Sequence, residues 1–161
     1  MKFSKLLSRD AIVPELRSRG RDGVLKELLE VLVQAGGLAV EDSQPILKAL
    51  IEREAQGTTG FGKGVAVPHC QQPAIRKMVV AIGRSTAGVD FNALDKAPVY
   101  SIILLLSPPD DQDRHLQAME LIFRHLQRDA FRKSLRQAKT AREIVDCIAE
   151  AEDPEVDAPL G

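Results

Sequence analysis

The chain has 161 residues, 44% hydrophobic and 28% charged, which is enough for one sizeable core and short for two. A formal net charge of -1 gives nucleic acid and anionic membranes no general reason to bind. The longest apolar run, around Ile102 to Leu106, falls far below the roughly 20 residues that span a bilayer, and no signal-like segment opens the chain. The expectation is a cytoplasmic protein without membrane insertion.

Leu25, Leu28, Leu29, Leu32 and Val33 recur at helical spacing over Val24 to Ala35, and Gly36-Gly37 supplies a left-handed stop. A second helix begins near Asp42-Ser43 with Pro45 in its first turn, buries Ile46, Leu47, Leu50 and Ile51, and ends before Gly57 with Arg53 in its last turn. Short β-branched runs follow at Val65 to Val67, Met78 to Ile82 and Val99 to Leu106, the last apolar enough for a central strand buried on both faces. Pro108-Pro109 ends it, and Asp110, Asp111 and Asp113 offer caps for a helix carrying His115, Leu116, Met119, Ile122, Phe123 and Leu126. A shorter helix around Phe131 to Leu135 precedes a last one, announced by the capping box Thr140 to Glu143. This order predicts an α/β fold with a central mixed β-sheet flanked by helices. One domain is expected over residues 1–150, with a disordered acidic tail over 151–161 that carries Pro154 and Pro159.

The informative stretch runs from Arg53 to His69. Gly57, Gly60, Gly62 and Gly64 fall within eight positions, a density that lets backbone N–H groups converge on an anion, with hydroxyl donors from Thr58 and Thr59. On glycine content alone, an ordinary tight loop is the commoner outcome. Gly57 to Lys63 also spells G-x-x-x-x-G-K, but Gly64 stands where a nucleotide loop needs Ser or Thr. A helix precedes the stretch and a strand follows it, the reverse of a nucleotide-binding loop. His69 follows Pro68, which restricts Val67 to extended conformations and displays the imidazole with little backbone freedom. A neutral imidazole is nucleophilic near pH 7 and forms covalent phosphoryl intermediates. Arg53 and His115 are candidate phosphate ligands, Arg53 through its planar donor fork.

These residues are similar to the signature R-E-x-x-[GS]-[ST]-T-G-[IL]-G-x-G-[IV]-A-[IV]-P-H of the type-2 IIA proteins of the phosphotransferase system, the mannitol/fructose and nitrogen-regulatory IIA proteins. Phe61 replaces the usual aliphatic residue, and Gly57-Thr58-Thr59 is a slight variant. Asp90 to Asp95, the apolar strand ending at Pro108-Pro109, and His115-Leu116 extend the likeness over roughly Lys2 to Glu150. The resemblance implies that His69 accepts a phosphoryl group from the phosphocarrier HPr, with Arg53 and His115 in the pocket, and Thr58, Thr59, Gly60 and Gly62 of the glycine loop are the expected phosphate-binding residues. It implies no cofactor and no metal. Its downstream partner is a IIB domain or a regulatory target. The absence of a fused IIB or IIC segment tilts the reading toward nitrogen regulation over sugar transport, and a IIA-like binding module without phosphotransfer is the further alternative.

Several residues stand outside this pattern. Near its helix N-terminus, His115 is expected to be held neutral by the helix dipole. His125 matches nothing in the signature and reads as a surface residue. Cys147, among Ile144, Val145 and Ile148, reads as core, and Cys70 draws notice only as the neighbour of His69. Arg124, Arg128, Arg132, Lys133, Arg136, Lys139 and Arg142 make the late helices basic. A solvated face is the usual meaning, and a partner-docking or nucleic-acid patch the sharper one, although no interleaved aromatics support single-strand stacking.

Overall fold

Strand β5 (Val99–Ser107) organises the molecule, because an unbroken apolar run is stable only where both faces of a sheet are covered. It pairs antiparallel with β4 (Val79–Val89) on one side. On the other side it pairs parallel with two short strands in tandem, β2 (Val65–Ala66) and β3 (His69–Gln71). Strand β1 (Leu7–Val13) adds to β4 in parallel, giving the order β1-β4-β5-β2 with β3 also on β5. The sheet is therefore mixed and central, as the sequence predicts.

Alternate residues of the sheet feed two cores. On one face Ala81, Ile102, Leu104 and Leu106 pack with Leu25, Leu28 and Leu29 of α2 (Arg21–Gln34) and Ile46 and Leu50 of α3 (Ser43–Gln56). On the other Val80, Ile82, Ile103 and Leu105 meet Leu121, Phe131 and Ile148 from α4 (Gln112–Leu126), α5 (Asp129–Gln137) and α6 (Ala141–Ala151). A one-turn helix α1 (Phe3–Leu6) packs on this second layer, and the Ser4 hydroxyl donates to Glu152 at 2.7 Å, tying the two ends together.

Local signals account for the helix ends. Gly36 has φ 79°, its amide bonds to Val33, and the Gly37 amide bonds to Leu32, the paired closure that a left-handed glycine permits. Asp111 caps α4 through the Arg114 amide. Thr140 accepts from the Glu143 amide at 3.1 Å, but the returning Glu143 carboxylate takes the Lys139 amide at 2.7 Å, one residue before the expected box partner.

The structure describes residues 1–152. Ala151 still belongs to α6, so the helix runs one residue past the expected domain end, and the acidic segment 153–161 lies outside the described residues. Strand β1 has no counterpart among the expected elements, and β4 runs seven residues past Ile82. At Gly83 in this extension a Cβ would come within 2.9 Å of the Leu16 methyl groups, so the glycine marks close packing and not a strand end. Among the described residues no helix is long and apolar enough to cross a membrane.

Candidate functional site

Val65 and Ala66 lock onto Ser101 and Ile102, and His69 opens the next short strand opposite Leu105. Between them stands buried Pro68, whose missing N–H interrupts the ladder while its carbonyl accepts from the Leu105 amide at 3.0 Å. The backbone on either side of His69 is thus fixed by β5. The ring is fixed as well, since Nδ1 lies 2.8 Å from the Val67 carbonyl. A carbonyl only accepts, so Nδ1 carries the proton and Nε2 holds the lone pair.

His115, the fourth residue of α4, brings its ring centroid to 5.8 Å from that of His69, at an interplanar angle of 48°. It is 8% exposed, and its Nδ1 is hydrogen-bonded to the hydroxyl of fully buried Ser107, the last residue of β5. Its pKa is lowered from the ordinary 6.5, first by burial and second by the charge of His69. The neutral form expected from the sequence is favoured, with burial in place of the helix dipole as the leading cause. Next to it Leu116 is 61% exposed, an apolar side chain at the rim.

Arg53 sits in the last turn of α3, half-buried, and its Nη1 donates to the Gly57 carbonyl at 2.7 Å. It closes the helix at the mouth of the glycine loop and hydrogen-bonds neither histidine. The structure therefore brings His69 and His115 together directly and leaves Arg53 as a neighbour of the loop.

The loop donors expected to face a phosphate have internal partners in this structure. The Thr59 amide donates to Glu54 Oε2 at 2.9 Å, and the Thr59 hydroxyl donates to Glu54 Oε1. The Thr58 hydroxyl donates to the Phe91 carbonyl at 3.3 Å and accepts from the Gly60 amide at 3.0 Å. These donors face inward, where an unpaired polar group would be costly. At Gly62, φ is 111° and a Cβ would lie 3.3 Å from the Asp95 carboxylate, an unfavourable neighbour for a phosphate. Leu94 N donates to the Gly60 carbonyl at 2.8 Å, Val67 N to the Thr59 carbonyl at 3.2 Å, and Lys63 N to Asp95 at 3.2 Å. The loop is a clasp, fastened to residues 91–95 and leading straight into Val67-Pro68-His69.

Glu54, 4% exposed, is the residue that sequence reasoning passed over. The available signal was a carboxylate on the apolar face of α3, beside Leu50 in helical spacing. Burying it requires donors, and the loop supplies them. His125, expected at the surface, is a correction: it is fully buried, with ring centroids 5.4 Å from Phe3 and 5.3 Å from Phe131. Burial pushes the Cys70 thiol up to about 11, which keeps it protonated and unreactive. Cys147 packs against the second core as expected, its thiol also raised to about 11, mainly by burial.

Residues 5–151 match the sequence family described as "Phosphoenolpyruvate-dependent sugar phosphotransferase system, EIIA 2". The PTS system fructose-specific EIIABC component of Bacillus subtilis is 32% identical over 92% of this chain, which spans 23% of that relative's length. A nitrogen regulatory protein of Bradyrhizobium diazoefficiens is also 32% identical, over 92% of this chain and 95% of the relative. The crystal structure of nitrogen regulatory protein IIA-Ntr from Neisseria meningitidis aligns with a TM-score of 0.81 at 26% identity, covering 90% of this chain and 97% of that one. The chain belongs to the EIIA type-2 family and is a phosphotransferase-system component.

Proposed function

We propose that Nε2 of His69 accepts a phosphoryl group from phosphorylated HPr and then passes it on. The observation that carries this reading is the Nδ1 contact to the Val67 carbonyl, which leaves Nε2 as the nucleophilic nitrogen beside the second imidazole. In the first transfer the P–N bond of the donor phosphohistidine breaks as the His69 Nε2–P bond forms, and the departing imidazole keeps the electron pair. His69 retains its Nδ1 proton throughout, with the Val67 carbonyl facing the positive charge that develops on the ring.

A phosphoryl oxygen can only accept, so His115 serves it best as a donor from Nε2. That tautomer follows if the Ser107 hydroxyl donates to Nδ1. Arg53 contributes its charge from the loop mouth. Exposed Leu116, and Leu94 on the segment bonded to the glycine loop, give a docking protein apolar contact around a polar centre.

Nitrogen-type regulation is the first reading of such a relay, supported by the nitrogen regulatory relative matched over 95% of its length and by the likeness to the IIA-Ntr structure, while a fructose-specific EIIA component is likewise matched over 83% of its own length. Transfer to a sugar-specific IIB domain is the second reading, favoured by the fructose-specific relative. In either use the protein works in the cytoplasm, where its two free cysteines stay reduced. Incubation with enzyme I, HPr and phosphoenolpyruvate is expected to add one acid-labile phosphoryl group, read by intact mass. His69→Ala is expected to abolish it, and wild-type labelling of that variant would sink the assignment. Fast onward transfer to a purified fructose IIB domain would favour transport over regulation.

A further inference from the structure

The basic late helices are not absorbed by the phosphoryl site, and their cations divide into two groups. Some are committed to neighbours: Arg132 pairs with Asp129 and donates to the Leu126 carbonyl at 2.6 Å, and Arg128 donates to the Ala151 carbonyl at 3.4 Å. Lys133, Arg136 and Lys139 instead converge with Arg84 around a cleft of about 540 Å³ that also takes in Ser85 and Thr86. None of these four cations forms an ion pair among the described residues.

Arg84 is the unusual member. It follows Val80 and Ile82 on the face of β4 that packs under α4 to α6, in the place where the apolar series would continue. It is only 7% exposed, and a buried guanidinium is costly without strong partners. Its partners are neutral oxygens: Nε donates to the Arg136 carbonyl at 2.7 Å, and Nη1 to the Thr86 hydroxyl at 3.1 Å and the Pro14 carbonyl at 3.4 Å. Part of this is helix capping, since Arg136 lies in the last turn of α5. Capping accounts for Nε, but not for a cleft that collects three further cations. Three carboxylates border the region: exposed Glu15 accepts from the Thr86 amide at 2.9 Å, Glu143 accepts from the Lys139 amide at 2.7 Å, and Asp129, paired with Arg132, lines the adjoining hollow. The Glu15 pKa is lowered, first by Thr86 hydrogen bonds and last by the charge of Arg84, so it stays ionised and offsets part of the charge of the four cations.

The wall of the cleft is also preorganised. The Arg136 guanidinium stacks over Tyr100, 3.5 Å from the ring centroid, which restrains a side chain that would otherwise roam. Lys133 and Arg136 are shared with an adjoining hollow of about 270 Å³ that adds Lys63, Tyr100 and Ser101. Arg84 pairs with Ser101, whereas His69 pairs with Leu105, so roughly 13 Å of strand separates this cleft from the phosphoryl site.

The geometry points to a second anion site in this cleft, one that takes a small anion with two or more phosphate groups, such as a nucleoside triphosphate or inorganic tripolyphosphate. Arg136 offers a forked donor set, Arg84 the Nη2 donors that its protein partners leave over, and two ammoniums offer point charges, so one phosphate would leave most of the cations unanswered. The cleft's size falls within the range of small-molecule sites.

The test is calorimetric titration of the full chain with tripolyphosphate, ATP without Mg²⁺, and inorganic phosphate at about 0.15 M salt, where weak surface attraction is screened. Saturable binding of tripolyphosphate is expected, with phosphate far weaker. The double substitution Lys133→Gln and Lys139→Gln should weaken it at least about tenfold, while His69→Ala should leave it unchanged. Backbone amide shifts on binding should centre on Ser85, Thr86 and Gln137. ATP binding tighter than tripolyphosphate would assign a nucleotide, and equal affinities a phosphate chain alone. The site is overturned by no saturation up to about 1 mM, by loss of binding in His69→Ala, or by unaltered binding in the lysine double variant. A single-stranded RNA that binds when tripolyphosphate does not would also overturn it. Because the readout needs no phosphoryl transfer, its failure leaves the His69 assignment untouched.

Discussion

Helix α4 carries two histidines ten residues apart, both shielded from water and in opposite chemical surroundings. His115 meets the Ser107 hydroxyl and the His69 imidazole, whereas His125 lies between the rings of Phe3 and Phe131. One is positioned by polar partners at the end of a strand and can exchange hydrogen bonds with a visiting group. The other packs against aromatic rings where α1 and α5 close over α4. Burial alone therefore does not mark a functional histidine, and the chemistry of the neighbours decides.

The comparison breaks most readily at His125. Emptying a large buried side chain costs about 2–5 kcal/mol, so His125→Ala is expected to lower the denaturation midpoint substantially while the folded fraction still accepts phosphate at the normal rate. A transfer defect in folded His125→Ala would erase the contrast. His115→Ala is expected to do the reverse, slowing acceptance from HPr by about 10- to 100-fold. This is somewhat less than the loss of one positioned donor in an enzyme, because a carrier only relays the group. Single-turnover rates equal to wild type would remove His115 from the site.

Ser107→Ala sharpens the same comparison from the other partner. Losing the hydroxyl frees the His115 tautomer, and a slowing of about tenfold is expected, near the effect of one hydrogen bond. Nitrogen-15 spectra should show Nδ1 of His115 unprotonated in wild type and mixed in the variant; identical spectra would assign Ser107 to packing alone. The smallest effect concerns pH. The pKa of His115 is depressed below 6.5 in the folded protein, so the unfolded chain takes up the proton first. The associated stability is complete above pH 6.5 and declines as pH falls toward the folded value. His115→Gln cannot take up that proton, and the gap between its stability curve and that of wild type should narrow in that window. Parallel curves would mean that His115 protonates alike in both states.

Much of the candidate site is legible in the sequence because its signals are local. Pro68 restrains the backbone next to it, a glycine run marks its loop, and aspartates before α4 announce the helix start that delivers His115. What escaped depends on partners remote in the chain. Strand β1 contains Ser8, Arg9 and Asp10, all exposed, and it exists because β4, some seventy residues later, supplies its hydrogen bonds. The inward turn of Thr58 depends on the Phe91 carbonyl far along the chain, whereas Glu54 is held locally by Thr59. His125 looked exposed because its cover comes from Phe3, at the far end of the chain.

The two margins of the sheet share a property with a bearing on solubility. One margin is β2 and β3, five paired residues interrupted by a proline that has no amide to offer. The other is β1, whose register shifts between Leu7 and Ile12 where charged Arg9 and Asp10 project. A foreign strand seeking to extend the sheet would meet a gap at one margin and an irregular, charged ladder at the other. In the proposed function a relay must collide with its partners constantly and release each of them, and margins that resist strand addition would keep those encounters from growing into aggregates.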